Sequence, residues 1–355
     1  MSSESESSPV NPSPAPVPAT PHRRRPRYAG KNPRRFEEKY KERDPARHGD
    51  VVAKVLASGK TPAGTHRPIM VAEILEVLSP KPGECAVDCT LGYGGHAREM
   101  LARLVPGGRL IGMDADPVEL PKTEARLREA GYGPDVFTAV RSNFAGLPKV
   151  LAGVGLTGAD VVLADLGVSS MQLDDPSRGF TAKFSGPLDM RMNPGRGQSA
   201  SAFLASVKSA ELVRILAEYS DEPRAEVLGG ALAGRRMATT QDLVESIRGA
   251  VGDIAGNERE TTVRRVFQAL RIAVNDEFSA LDTLLRHLPG CLKLGGRVAV
   301  LTFHSGEDRR VKWAFSAGLE SGVFSSIAED VLRPGAEERR ANPRSSSAKL
   351  RWAVV

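Results

Sequence analysis

From residue 66 onward the chain alternates short apolar runs with segments of helical length, and that alternation leaves few architectures open. Cys85–Cys89, Leu110–Met113, Val136–Val140 and Val161–Ala164 are four or five residues long and lack the polar alternation of a half-exposed strand. Runs of this kind are strands buried on both faces, as in a parallel sheet covered by helices. Ile69, Val71, Ile74, Leu75 and Leu78 mark the apolar face of a short helix that stops before Pro80. The expected fold is α/β with a doubly wound sheet, its ligands held outside the carboxyl ends of the strands.

The alternation stops after Ser170. Residues 175–265 hold no convincing strand, but contain helical stretches such as Glu211–Leu216 and Leu243–Ile247, the second opened by the capping-box pattern Thr239-Thr-Gln-Asp242. The sheet resumes with the apolar run in Gly295–Phe303 and closes with Lys349–Val355. The expected organisation is an N-terminal arm over 1–60, a first part of the α/β domain over 61–174, a helical insert that recognises substrate over 175–265, and a second part over 266–355.

Charge separates the arm from the rest. The chain carries 49 Lys and Arg against 43 Asp and Glu. Residues 22–60 hold 13 basic and 5 acidic side chains, residues 1–21 are slightly acidic, and residues 61–355 are neutral as a whole. Residues 1–21 are rich in Ser and Pro, with six prolines, and cannot bury enough surface to offset chain entropy, so disorder is expected there. The basic stretch fits either a solvated linker or a nucleic-acid arm.

No apolar run reaches the roughly 18 residues of a membrane span. The polar start Met-Ser-Ser-Glu-Ser-Glu lacks the layout of a secretory signal, which makes the cytoplasm the expected compartment. Cys85, Cys89 and Cys291 form no CxxC pair and the six histidines have no ligand spacing to them, so reduced core thiols are expected and no metal.

Two segments at expected strand ends carry the chemistry. The first, Val87-Asp88-Cys-Thr-Leu-Gly92-Tyr-Gly94-Gly95-His96, is a glycine-rich turn where backbone can approach a ligand and the next helix offers free amides. Asp114 ends the second strand, where a carboxylate can accept both ribose hydroxyls of an adenosine. The glycine spacing also satisfies a dinucleotide fingerprint. Asp88 just before the turn and the apolar final strand favour S-adenosylmethionine, because both are features of class I methyltransferases. Thr90 departs from that pattern, which has glycine at its place. His96 reads either as a cofactor contact or as a residue at the start of a helix.

The second segment, Asp165-Leu-Gly-Val-Ser-Ser-Met-Gln172-Leu-Asp-Asp175, hangs a polar loop on the fourth strand. An acceptor near an exocyclic amine helps the nitrogen become tetrahedral as a methyl group arrives and can take its surplus proton. Asp165 stands where amino methyltransferases keep an Asp or Asn, although they continue with Pro-Pro-aromatic and this chain does not. Gln172, Asp174 and Asp175 have weaker claims, and Gly186-Pro-Leu-Asp-Met-Arg191 reads as a turn with an ion pair. Thr302-Phe-His304-Ser-Gly-Glu307-Asp308-Arg309 follows the returning strand toward the same edge. There His304 is a candidate substrate contact or proton acceptor, and Ser305 with Asp308 makes a capping-box pattern.

Taken in order, these segments resemble the RsmH (MraW) family of bacterial ribosomal RNA small-subunit methyltransferases. Further matches are His66-Arg-Pro-Ile-Met, Arg178-Gly-Phe180, Phe267-Gln-Ala-Leu-Arg-Ile272, Val274-Asn-Asp-Glu277 and Asn342-Pro-Arg-x-x-Ser-x-Lys-Leu-Arg351. The similarity runs from about His66 to Val355 and leaves the arm outside it. It implies a class I, Rossmann-like S-adenosylmethionine methyltransferase fold with a helical insert, methylating the N4 amine of a cytidine in the decoding centre of 16S rRNA. It also implies cofactor contacts at Gly94, Gly95, His96, Asp114, Phe144, Asp165 and Gln172, and 16S rRNA in the small ribosomal subunit as partner. The chain departs from the family at Tyr93, Met171 and Gly306. Two other readings stay open, a non-catalytic RNA-binding ribosome assembly factor and a DNA amino methyltransferase, and the oligomeric state is not legible.

Overall fold

The structure, a computed structural model, describes residues 68–169, 172–173 and 175–355. The expectations for the arm over 1–60, for His66 and for Asp174 lie outside the described residues.

Seven strands form one sheet: β1 (Cys85–Asp88), β2 (Arg109–Asp114), β3 (Phe137–Arg141), β4 (Ala159–Asp165), β5 (Leu292–Thr302), β6 (Ser326–Ile327) and β7 (Lys349–Val354). Their order is β3-β2-β1-β4-β5-β7-β6, parallel from β3 to β5, with β7 antiparallel to both β5 and β6. This is the doubly wound sheet of class I methyltransferases, closed by its antiparallel last strand. The strand order reverses between β1 and β4, and the crevice expected to hold ligand therefore opens between Asp88 and Asp165.

Side-chain alternation divides the core into two faces. Val87, Ile111, Val162, Ala164 and Val300 point to one face and pack with α4 (Leu147–Gly153), α10 (Glu277–His287) and α11 (Ser305–Glu320). Ala86, Leu110, Val161, Leu163 and Leu301 point to the other face, against α1 (Val71–Leu78), α2 (Gly95–Leu104) and α3 (Glu119–Glu129). Both faces are buried, which is why the strands read as continuous apolar runs. Cys85, Cys89 and Cys291 are buried within the first of these packings, as ordinary core thiols.

Between β4 and β5 lies a helical unit with its own core: α5 (Ala200–Ser206), α6 (Ser209–Ser220), α7 (Ala225–Leu232), α8 (Thr240–Val251) and α9 (Gly256–Asn275). The expected capping box opens α8, with Thr239 Oγ1 accepting from the Asp242 amide and Asp242 Oδ2 accepting from the Thr239 amide. The expected boundary at 265/266 falls inside α9. Val263, Val266, Phe267 and Leu270 form one apolar stripe of that helix and keep it in the insert core on both sides of residue 265. The break comes at Asp276, in the left-handed region at φ 51°, where α9 ends and α10 turns back to the sheet. Among the described residues, no helix is long and apolar enough to cross a membrane.

Candidate active site

A cavity of about 660 Å³ opens at the carboxyl ends of β1, β2 and β4 and extends under the insert. Its size suits one cofactor and one base. Asp88, at the end of β1, is almost wholly buried and accepts from the Thr90 amide at 3.0 Å. Burial pushes its carboxyl up to about 6, against the pull of His96. The turn is then stitched from outside: the Gly92 amide donates to Asp114 Oδ2 at 2.8 Å, and Thr123 Oγ1 donates to the Gly92 carbonyl at 2.6 Å.

Two glycines permit the geometry. Gly94 takes φ 80°, where a side chain is strained, and begins α2 without a side-chain cap, and Gly95 and His96 at the start of that helix line the cavity. At Gly95 a Cβ would stand 2.4 Å from the Pro68 ring, so only glycine allows residues 68–69 to close over the helix start. Asp114 lines the cavity while accepting from the Gly92 and Asp116 amides, both at 2.8 Å. Burial raises its pKa and those amides oppose the rise. Phe144 lines the same wall, held in a short turn by Asn143 Oδ1 accepting from the Ala145 amide.

Asp165, at the end of β4, faces the same space. Its amide donates to Thr90 Oγ1 at 2.7 Å, and its carboxyl lies 3.5 Å from His96 Nδ1. Burial, and to a lesser degree the charge of Glu307, push it up to about 7. His96 Nε2 meets the Ile69 carbonyl at 3.0 Å, and burial holds the imidazole below its ordinary pKa. Gln172 also lines the cavity, but its amide nitrogen donates to Asp116 Oδ2 at 2.7 Å. Asp116, unforeseen in the sequence, is buried and also pairs with Arg178 Nη1 at 2.9 Å. Burial alone would raise its pKa; the bonds from Gln172 and Arg178 outweigh it and hold the group ionised. Arg178 in turn donates to the Arg191 and Met192 carbonyls, tying the loop after β4 to the insert.

His304 is a correction. It does not line the cavity: Nδ1 caps α11 by accepting from the Glu307 amide, Nε2 lies 3.1 Å from Glu307 Oε1, and the ring packs on Phe278. Glu307 lines the cavity instead and accepts from the Phe303 amide at 2.8 Å. The Ser305/Asp308 capping box is absent too. Ser305 Oγ donates to Asp221, while Asp308 binds Arg351 and Lys349 on β7. Asp175 caps its own turn through Ser177, and Asp189 makes the expected ion pair with Arg191.

The insert supplies a wall that sequence reasoning left undefined. Arg264, Arg271 and Asn275 of α9 line the cavity, with Phe278 of α10. Arg271 is held by Glu277 in a two-pronged pair at 2.8 Å, and Asn275 Nδ2 donates to the Met190 carbonyl at 2.7 Å. Pro343, Arg344, Ser346 and Ser347, just before β7, also line the cavity. The motifs around Asn275 and Arg344 were the available signal, but periodicity alone could not bring them to one opening.

This sheet order, a glycine turn leading into an uncapped helix, and a carboxylate on each flanking strand define a class I methyltransferase. The chain belongs to the MraW methylase family, whose model matches residues 63–354. It is 48% identical over 342 residues to "Ribosomal RNA small subunit methyltransferase H 1" of Lachnoclostridium phytofermentans, covering 94% of this chain and 93% of that one. It is 47% identical to the protein of the same name in Agathobacter rectalis, covering 94% and 97%. "Ribosomal RNA small subunit methyltransferase H" of Myxococcus xanthus is 43% identical over 301 residues, covering 81% of this chain and 96% of the relative. A span of 94% exceeds what residues 63–355 can supply, so the similarity to the first two enters the N-terminal arm. The expectation that the arm lies outside the resemblance is thereby corrected.

Proposed function

We propose that this methyltransferase moves the methyl group of S-adenosylmethionine to the N4 amine of a cytidine in the decoding centre of 16S rRNA, within the small ribosomal subunit and in the cytoplasm. The observation that carries the reading is Asp165: a partly exposed carboxyl with raised proton affinity, at the end of β4, in the same cavity as Asp114 and the glycine turn.

The residues fit the cofactor. Asp114 keeps lone pairs beyond those used by the two amides, enough to accept from a ribose diol. The uncapped start of α2 suits the cofactor's carboxylate, and Phe144 offers an apolar wall. When bound, S-adenosylmethionine supplies an electrophilic methyl group on a sulfonium. What the chain adds is alignment, exclusion of water and an acceptor for the amine's hydrogens. Gln172, anchored through Asp116, holds the loop that follows Asp165. A cytidine can enter only unstacked, since the acceptor lies inside a cavity. Arg264 and Arg344 of the cavity lining suit its flanking phosphates.

The test is transfer of labelled methyl to undermethylated small subunits, naked rRNA and DNA, with the modified nucleoside identified by mass spectrometry. N4-methylcytidine in the ribosomal samples is the expected result. Faster methylation of DNA, or cofactor binding without transfer to any of the three, would overturn the assignment.

A further inference from the structure

Methyl transfer to an exocyclic amine leaves one proton to be removed. The nitrogen lone pair forms the N–C bond while the S–C pair withdraws to sulfur, so the methylated nitrogen briefly carries two hydrogens and a positive charge. Which group takes the surplus proton, and where it goes next, is a question the geometry around β4 answers. The answer rests on the amine-methylating function proposed above.

His96 is held in one tautomer. The Ile69 carbonyl can only accept, so His96 Nε2, 3.0 Å away, carries the ring hydrogen. Nδ1 therefore presents a bare lone pair, and it points at Asp165 Oδ2, 3.5 Å away. That separation is long for a hydrogen bond, as catalytic contacts commonly are before substrate closes a site. His96 is 8% exposed and Asp165 is 27% exposed, and both line the cavity, with the carboxyl the more open of the two.

We propose that Asp165 and His96 form a two-residue proton acceptor, in which the Asp165 carboxylate takes the surplus proton from the methylated amine and passes it to His96 Nδ1. Charge and protons balance: nitrogen becomes neutral, Asp165 returns to carboxylate, and His96 becomes an imidazolium that donates to Asp165 from one nitrogen and to Ile69 from the other. Asp165 is the catalytic group, and His96 acts through it.

The surroundings help the first step and resist the second. Glu307 of α11 faces Asp165 and opposes its ionisation, which strengthens it as a base. Asp88 of β1, Glu99 of α2 and Glu338, on the short helix 336–341, favour a proton on His96. Asp114 of β2 adds to the negative charge around Asp88. Glu338 is fixed by accepting from the Met70 amide at 2.8 Å, beside the segment that carries Ile69. Burial opposes a charged imidazole. With Asp165 pushed up to about 7 and His96 held below its ordinary value, Asp165 is the stronger base of the two, and His96 holds the proton only in passing.

Two substitutions separate proton acceptance from positioning. His96→Gln keeps a polar group for Ile69 and removes the acceptor facing Asp165; His96→Asn restores a hydrogen-bonding atom near the Nδ1 position but no comparable basicity. With full-length protein and undermethylated small subunits, both variants are compared at cofactor concentrations that saturate each, because His96 also lines the cofactor cavity. Both should lose roughly tenfold to hundredfold in single-turnover rate, with a changed pH profile. Wild-type rate and profile in His96→Asn would overturn the proposal, leaving only a positioning contact. A loss confined to cofactor affinity would overturn it too.

If the variants do not fold, nitrogen NMR of the histidines in the wild type and in Asp165→Asn decides. A His96 Nδ1 signal whose pH response changes in Asp165→Asn supports the pair, and an unaltered response overturns it. This reading needs no RNA, so it stands apart from a failure of the substrate assignment, which would show as absence of N4-methylcytidine with wild-type protein.

Discussion

The backbone amide of Asp165 donates to the hydroxyl oxygen of Thr90 at 2.7 Å, so the end of β4 is pinned by the side chain that stands where related turns have glycine. Thr90 is itself fixed, since its amide donates to Asp88 Oδ1 at 3.0 Å and its hydroxyl lies 3.5 Å from the same oxygen. The departure of this turn from the glycine pattern thus has a physical use: it joins the two strand ends between which the ligand crevice opens.

Thr90→Val tests that joint, because it keeps the shape and removes the acceptor. The Asp165 amide would be left without a partner in a partly buried site, costing about 1–3 kcal/mol of stability. Asp165 would also lose its positioning, so transfer should fall roughly tenfold to hundredfold. Chemical denaturation alongside single-turnover methylation checks both. Unchanged activity in a destabilised protein would show that Thr90 serves only the fold.

Asp165→Asn should abolish most transfer and stabilise the protein at alkaline pH. The sign follows from linkage: with a folded pKa of about 7 against an ordinary 3.8, the native state binds more protons than the unfolded chain between those values. Stability contributed by this group is therefore lost as pH rises from about 4 to 7, and the loss is complete above the folded value. Because Asp165 keeps 27% exposure, the effect is on the order of 1–2 kcal/mol rather than the full shift at 1.36 kcal/mol per unit. Thermal midpoints across that range should fall in the wild type and fall less in Asp165→Asn. Asp88, pushed up to about 6, adds a slope of the same sign to both proteins.

What the sequence made legible divides by range. Asp114 and Asp165 could be placed because apolar runs reveal where strands end, and a polar residue at such an end has no core to fill. The glycine turn was legible for the same reason. Thr90, Asp116 and Glu307 draw their meaning from partners distant in the chain, namely Asp165, Arg178 and the neighbouring Asp165 carboxyl, and no local pattern announces those. His304 shows the opposite error: its position pointed to the right edge of the sheet, but α11 starts there and its ring is committed to the Glu307 amide and carboxylate. The insert runs past the expected boundary, because one stripe of α9 continues through residue 265 without a local signal.

Asp116→Ala should be more damaging than its distance from the reacting centre suggests. Asp116 gathers Gln172 and Arg178, and Arg178 holds the Arg191 and Met192 carbonyls. Removing a carboxylate that is 1% exposed leaves the Arg178 charge partly buried without its counterion, for a cost of about 3 kcal/mol. Releasing the Gln172 loop should also weaken cofactor binding, measurable by calorimetry. The double variant Asp116→Ala/Arg178→Ala should lose less stability than the two single losses added together. Full additivity would mean that the two side chains do not act as one strap.

The arm makes the last prediction. The chain's excess of basic over acidic residues lies in residues 22–60, while residues 61–355 are neutral as a whole, so the largest net positive charge available to attract RNA phosphates independently of sequence is in the arm. Deleting residues 1–60 should weaken binding to small subunits and flatten its dependence on salt, by roughly 0.7 in log–log slope for each single-strand phosphate that the arm had neutralised. Cofactor affinity should not change, because among the described residues the cavity lining begins at Pro68, after the deleted segment. An unchanged salt slope with weaker binding would mean that the arm contacts protein rather than RNA phosphate. An unchanged slope with unchanged binding would reduce it to a linker, leaving Arg264 and Arg344 of the cavity lining as the source of phosphate contact.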